Sequence, residues 1–340
     1  MKRSNFAMVL SSLLWLHVLS MTAFCESLSQ PLSRVRFAEP GMLGDSPPKW
    51  SGGKFVSWRY KTPHADSRTN LTITTRDGIV SSRYRIWFPE AAEVNIFDVA
   101  ASDDGTKLSA VGNALSKAGS MVSFLATLDL ASAAWDVIAV SPFEGEKVVF
   151  ATDGTIWVLG YETGEQRKIL KAGPHSLLRH YSSKGAPLGK YLDWPDIACG
   201  THPFLSGAGM LSVKSTGIGV FLPSCNLWLD LTFLGLVQKK VQVNLPGTYR
   251  AKTALVWDTF SLPGGRVYAF INHPNHLAAN GSTVHNGLFV LRSELGLWEP
   301  VDSDAVVTAS GDLRALAGIE DGKFVFRTAS QEFIWTSIAQ

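Results

Sequence analysis

DVAASDDGTKLSAVG, residues 98–112, is an apolar run, an Asp104-Gly105 reversal and a second apolar run, and VVFATDGTIWVLG, residues 148–160, repeats that grammar around Asp153-Gly154. An Asp-Gly pair takes positive φ readily, so each stretch reads as a β-hairpin. Working outward, glycine-centred turns followed by β-rich runs fall at Gly53, Gly105, Gly154, Gly217, Gly265 and Gly311, with steps of 52, 49, 63, 48 and 46 residues. A unit of this length cannot cover its own apolar faces and must stack on its neighbours. The period predicts an all-β chain folded as a six-bladed β-propeller, with a seven-bladed ring as the alternative if an added strand or a degenerate blade is hidden.

Lys2 and Arg3 precede an apolar stretch from about Phe6 to Leu19, and Ala23-Phe24-Cys25 resembles a small-x-small cleavage site. Residues 1–25 are therefore read as a signal peptide, 26–50 as an entry segment and 51–340 as one propeller domain. Phe24 departs from the small residue that lipidation on Cys25 requires. Removing Lys2 and Arg3 balances the remaining bases against the 29 acids. A neutral chain carries no electrostatic footprint for nucleic acid, and no integral membrane segment is expected once the signal is removed. Eleven tryptophans and 30 glycines suit a turn-rich fold with an aromatic core. The expected location is periplasmic or secreted.

Export favours pairing Cys199 with Cys225. If Gly209 to Val213 pairs with Ile218 to Leu222 around the Ser215-Thr216-Gly217 turn, the two cysteines reach the same end of a hairpin. Leu227, Leu229, Leu231 and Phe233 recur at period two, so this apolar region reads as buried strands and not as a membrane span. Later strands are expected at Asn70 to Thr74 and Tyr84 to Phe88, and a blade-three insertion at about Gly173 to Pro203 accounts for the long step. Val35 to Phe37, were it to close the ring as an added strand, would change the blade count by one.

The two stretches quoted above resemble the strand-turn-strand element of exported bacterial propellers of the NHL and YVTN type. The resemblance implies a ring with loops on two faces. Its motifs are structural and assign no catalytic residue.

Among groups that carry chemistry, His273, His276 and His285 form the densest set of imidazoles, and His202 lies beside the blade-three insertion with His175 and His180. Together with Asn272, His202 and the blade-five histidines make the expected binding face. Their spacing matches no established metal framework, so no metal or cofactor is assigned. Asp98, Asp258 and Asn272 supply the oxygen ligands a hard cation wants, should they face the axis, which is the alternative of a metal-dependent hydrolase or lactonase. Trp50, Trp58 and Trp194 are candidate stacking surfaces. No Gly-x-Ser-x-Gly elbow or phosphate loop is present. The chain is expected to be a monomeric, non-catalytic scaffold for a protein, small-molecule or glycan partner.

Overall fold

A computed structural model describes residues 26–37, 48–65, 69–164, 168–169, 175–197, 199, 209–245, 255–262, 264–272 and 287–339. Residues 1–25, expected as a signal peptide, lie outside them. Strand β1 (Ser33–Arg36) comes first. Blade one holds β2 (Lys49–Ser51), β3 (Lys54–Trp58), β5 (Leu71–Thr74) and β6 (Val80–Tyr84), with β4 (Lys61–Pro63) leaving it between β3 and β5. Blade two is β7 (Ala91–Ala101), β8 (Lys107–Ser116), β9 (Met121–Asp129) and β10 (Ala134–Ala139). Blade three is β11 (Phe143–Phe150), β12 (Ile156–Glu162), β13 (Ser176–Tyr181) and β14 (Pro187–Asp193), followed by helix α1 (Trp194–Ile197). Blade four is β15 (Met210–Lys214), β16 (Gly217–Leu222), β17 (Leu227–Thr232) and β18 (Val237–Gln242). Blade five is β19 (Leu255–Ser261), β20 (Val267–Asn272), β21 (Gly287–Arg292) and β22 (Leu297–Pro300). Helix α2 (Asp304–Ser310) then leads to β23 (Leu313–Glu320), β24 (Lys323–Thr328) and β25 (Glu332–Thr336) of blade six.

Neighbouring strands within each blade are antiparallel, and the chain is a six-bladed β-propeller. The ring closes through β1, which pairs with β25 as the fourth strand of blade six. The segment expected as an entry segment thus supplies a blade strand. An N-terminal segment and the last strand share one sheet, which closes the ring, with β1 as the outer edge of blade six. A hydrophobic cluster fills each blade interface. Trp58 and Leu71 meet Val94 and Leu128 between blades one and two, for example, and Phe55 meets Val325 and Trp335 between six and one.

The structure corrects several local expectations. Gly311 ends α2, and the blade-six reversal is Asp321-Gly322, where both residues have positive φ. Gly217 opens β16, and its role is close approach: a Cβ there would lie 1.8 Å from the Leu231 carbonyl oxygen. The strand expected at Tyr84 to Phe88 is instead Val80–Tyr84. The expected insertion contains β13 and β14, the outer half of blade three. Apolar Leu177 and Leu178 are fully buried there, packed in the cluster between blades three and four. Cys199 and Cys225 are joined with their Cα atoms 5.6 Å apart, within the reach of a disulfide. No helix among the described residues is long and apolar enough to cross a membrane.

Candidate functional site

The innermost strands β2, β7, β11, β15, β19 and β23 touch one another in a closed ring around the axis. At the end where each turns into its blade's second strand, all six line a cavity of about 770 Å³. That volume is within the range of small-molecule sites. At the other end β4 pairs along Glu93–Asn95 of β7, on the edge that would otherwise face the axis. The axis is therefore open to a ligand at the hairpin face and narrowed at the opposite one.

Lys49 and Asp258 are among the residues lining this cavity, with Asp98 behind them. The Lys49 Nζ lies 2.7 Å from Asp98 Oδ1 and 3.2 Å from Asp258 Oδ2, so one ammonium ties blade one to blades two and five. The second oxygen of Asp98 accepts the Val148 backbone N–H at 2.9 Å, linking in blade three. Burial by itself would lower the Lys49 pKa, but the carboxylates of Asp258 and Asp98 outweigh it and hold the pKa above the usual lysine value. A lysine held protonated donates hydrogen bonds and does not act as a nucleophilic amine.

Local backbone geometry aims these acids. The register of β7 shifts between Ile96 and Asp98, and that of β19 between Val256 and Asp258. A bulge adds a residue and redirects the side chains that follow it. The same irregularity in β11, between Gly145 and Lys147, falls at Glu146. There Tyr161 donates its hydroxyl to Glu144 Oε1 at 2.7 Å, and burial together with Glu144 pushes the Glu146 carboxyl above its ordinary range.

Hydroxyl groups complete the cavity. Ser212 and Ser261 hydrogen-bond each other at 2.8 Å, while Thr259 Oγ1 is buried and has no hydrogen-bond partner. At the mouth stand the exposed carboxylates of Asp103 and Asp321, flanking the side-chain-free Gly52-Gly53 turn. Burial and then neighbouring Asp104 push the Asp103 carboxyl upward.

His202, His273, His276 and His285 lie outside the described residues. Asn272 ends β20, opposite Leu255, and that strand runs away from the cavity mouth. His175 and His180 are buried, not solvated, and His180 stacks on Trp157 at 4.0 Å. Burial lowers the His180 pKa. Trp50 and Trp58, read as stacking surfaces, are core residues. Asp98 and Asp258 do face inward, but both are engaged by Lys49. Among the described residues no group of three or more His, Cys, Asp or Glu side chains is placed to hold a metal.

Lys49 itself was missed because the polar, proline-bearing stretch around it shows no strand period.

No family model matches the chain, and no curated protein matches its sequence. Solved structures do. A Bacteroides fragilis protein assigned as exported superposes with a TM-score of 0.55 at 8% identity, over 93% of this chain and 96% of its own. The WD40 domain of Neurospora crassa Pan2 gives a TM-score of 0.43 at 9% identity, over 81% of this chain and 71% of that one. The first likeness supports the propeller fold across nearly the whole chain; at this identity it shows the fold alone.

Proposed function

We propose that this protein is an exported, non-catalytic binding scaffold that takes its ligand in the six-strand cavity. The observation that carries the reading is the convergence of all six inner strands on one cavity containing a charge-paired lysine and an unpartnered buried hydroxyl. Such a site is equipped to orient a ligand by hydrogen bonds. Lys49 occupies the acids that a metal-dependent lactonase would have needed, so the hydrolase alternative gains no support. Export rests on the basic and apolar pattern of the first 25 residues and agrees with the cysteine pair. Assignment to the NHL and YVTN type rests on the two Asp-Gly hairpins of blades two and three.

The test is thermal unfolding of the chain from Glu26 against a small-molecule and glycan panel, repeated with Thr152→Trp. Thr152 is an exposed residue of the cavity lining, so the variant should fold normally. A ligand at about one hundred times its Kd stabilises the folded state by about 2.7 kcal/mol. The expected result is a stabilising ligand whose effect Thr152→Trp removes. Turnover of a lactone restored by an added metal would overturn the reading.

A further inference from the structure

We propose that the ligand of this cavity is a small organic cation bearing a primary ammonium or guanidinium group. The proposal rests on the binding reading above and deepens it.

Charge inside the cavity does not balance. The ionisable residues in its lining are Lys49, Asp103, Lys214, Asp258, Glu320 and Asp321. Lys214 is taken by Asp230 at 2.8 Å, and Glu320 by Arg76 at 3.2 Å. Lys49 is shared between Asp98 and Asp258, which leaves that triad with one negative charge in excess. Asp103 and Asp321 have no ion-pair partner among the described residues. Negative charge is thus left over both at the mouth and in the cavity, where enclosing walls focus the field.

A second observation points to a donor-rich ligand. Thr259 is a residue of the cavity lining, 2% exposed, and its buried Oγ1 lacks a hydrogen-bond partner. A buried hydroxyl left unpaired is costly, and an incoming N–H satisfies it. An ammonium offers three donors and a guanidinium five, with no acceptor in either. That matches excess carboxylate and hydroxyl oxygen, whereas an anion would meet Asp103 and Asp321 at the entrance.

The test is calorimetric titration of the chain from Glu26 with spermidine, agmatine, uncharged 1,6-hexanediol and anionic adipate, at low and at physiological salt. Spermidine or agmatine should bind, more weakly at higher salt, and the diol and adipate should not. Asp103→Asn and Asp321→Asn, both at exposed turn positions, should each weaken binding about two- to fivefold. Thr152→Trp should abolish it. If the diol or adipate binds as well as the amines, in a manner blocked by Thr152→Trp, the cation inference falls and the scaffold reading stands. If neither amine binds at millimolar concentration, or binding survives Thr152→Trp, the cation inference is overturned. A ligand from the wider panel that remains sensitive to Thr152→Trp would then preserve the scaffold reading alone.

Discussion

Lys49 and Asp258 stand 3.2 Å apart although their strands belong to blades one and five, with blade six between them in the ring. The contact reaches across the axis and is completed by Asp98 of blade two at 2.7 Å. A propeller is held mainly by contacts between adjacent blades; this triad adds a tie between blades that are not adjacent. It also sets the floor chemistry of the cavity.

Replacing Lys49 by Met should therefore leave Asp98 buried without its cation. Removing one partner of a buried ion pair costs about 3–5 kcal/mol. Urea denaturation should show a loss of that order, and adding Asp98→Asn should recover part of it because the stranded charge is gone. Equal stability of Lys49→Met and the parent would mean that the triad contributes nothing.

Two glycines that look alike in the sequence should respond differently to alanine. Gly154 has φ of 79°, and a Cβ added there would meet nothing within 4 Å, so Gly154→Ala should cost only the left-handed backbone penalty of about 1–2 kcal/mol. Gly217→Ala would drive its Cβ to 1.8 Å from the Leu231 carbonyl oxygen and should cost more, above about 2 kcal/mol. Gly154→Asn should be milder than Gly154→Ala, since asparagine tolerates the left-handed region. Parallel denaturation curves decide the order.

The repeat was legible because Asp104-Gly105 and Asp153-Gly154 are local signals flanked by β-rich runs. The cavity was not, for two physical reasons. Strand β2 has only three residues, too few for Lys49 to display an alternating pattern. The bulges before Asp98 and Asp258 break period two at the positions whose direction mattered, so alternation in the sequence could not say that both acids point inward. The outer half of blade three was obscured differently, because β14 carries Gly189 and is largely exposed, which mimics a polar insertion.

The Cys199–Cys225 link closes a separation of 26 residues between the segment after α1 and the connection from β16 to β17. On the chain-entropy model a loop of this length stabilises by about 3.5 kcal/mol. Cys199→Ser with Cys225→Ser should lower stability by about that amount. Addition of reductant should shift the parent toward the double variant and leave the variant unchanged; a parent insensitive to complete reduction would overturn the assigned contribution.

Glu146 provides the pH test. Burial, then the adjacent Glu144 carboxylate, raises its pKa, while the Lys147 charge and then the Tyr161 hydroxyl offset part of the shift. An acid with a raised folded-state pKa binds its proton more tightly when folded, so it subtracts stability as pH rises from the ordinary glutamate range through the raised value. Below that range the group is protonated in both states and the difference vanishes. Glu146→Gln should consequently stabilise the protein at pH 8, read as a higher Tm, and change it almost not at all near pH 4. Thermal melts of parent and variant across this range measure the effect directly. A variant that gains equally at both ends would show that packing, not ionisation, governs the site, whereas a gain growing with pH assigns the penalty to the Glu146 charge at the bulge of β11.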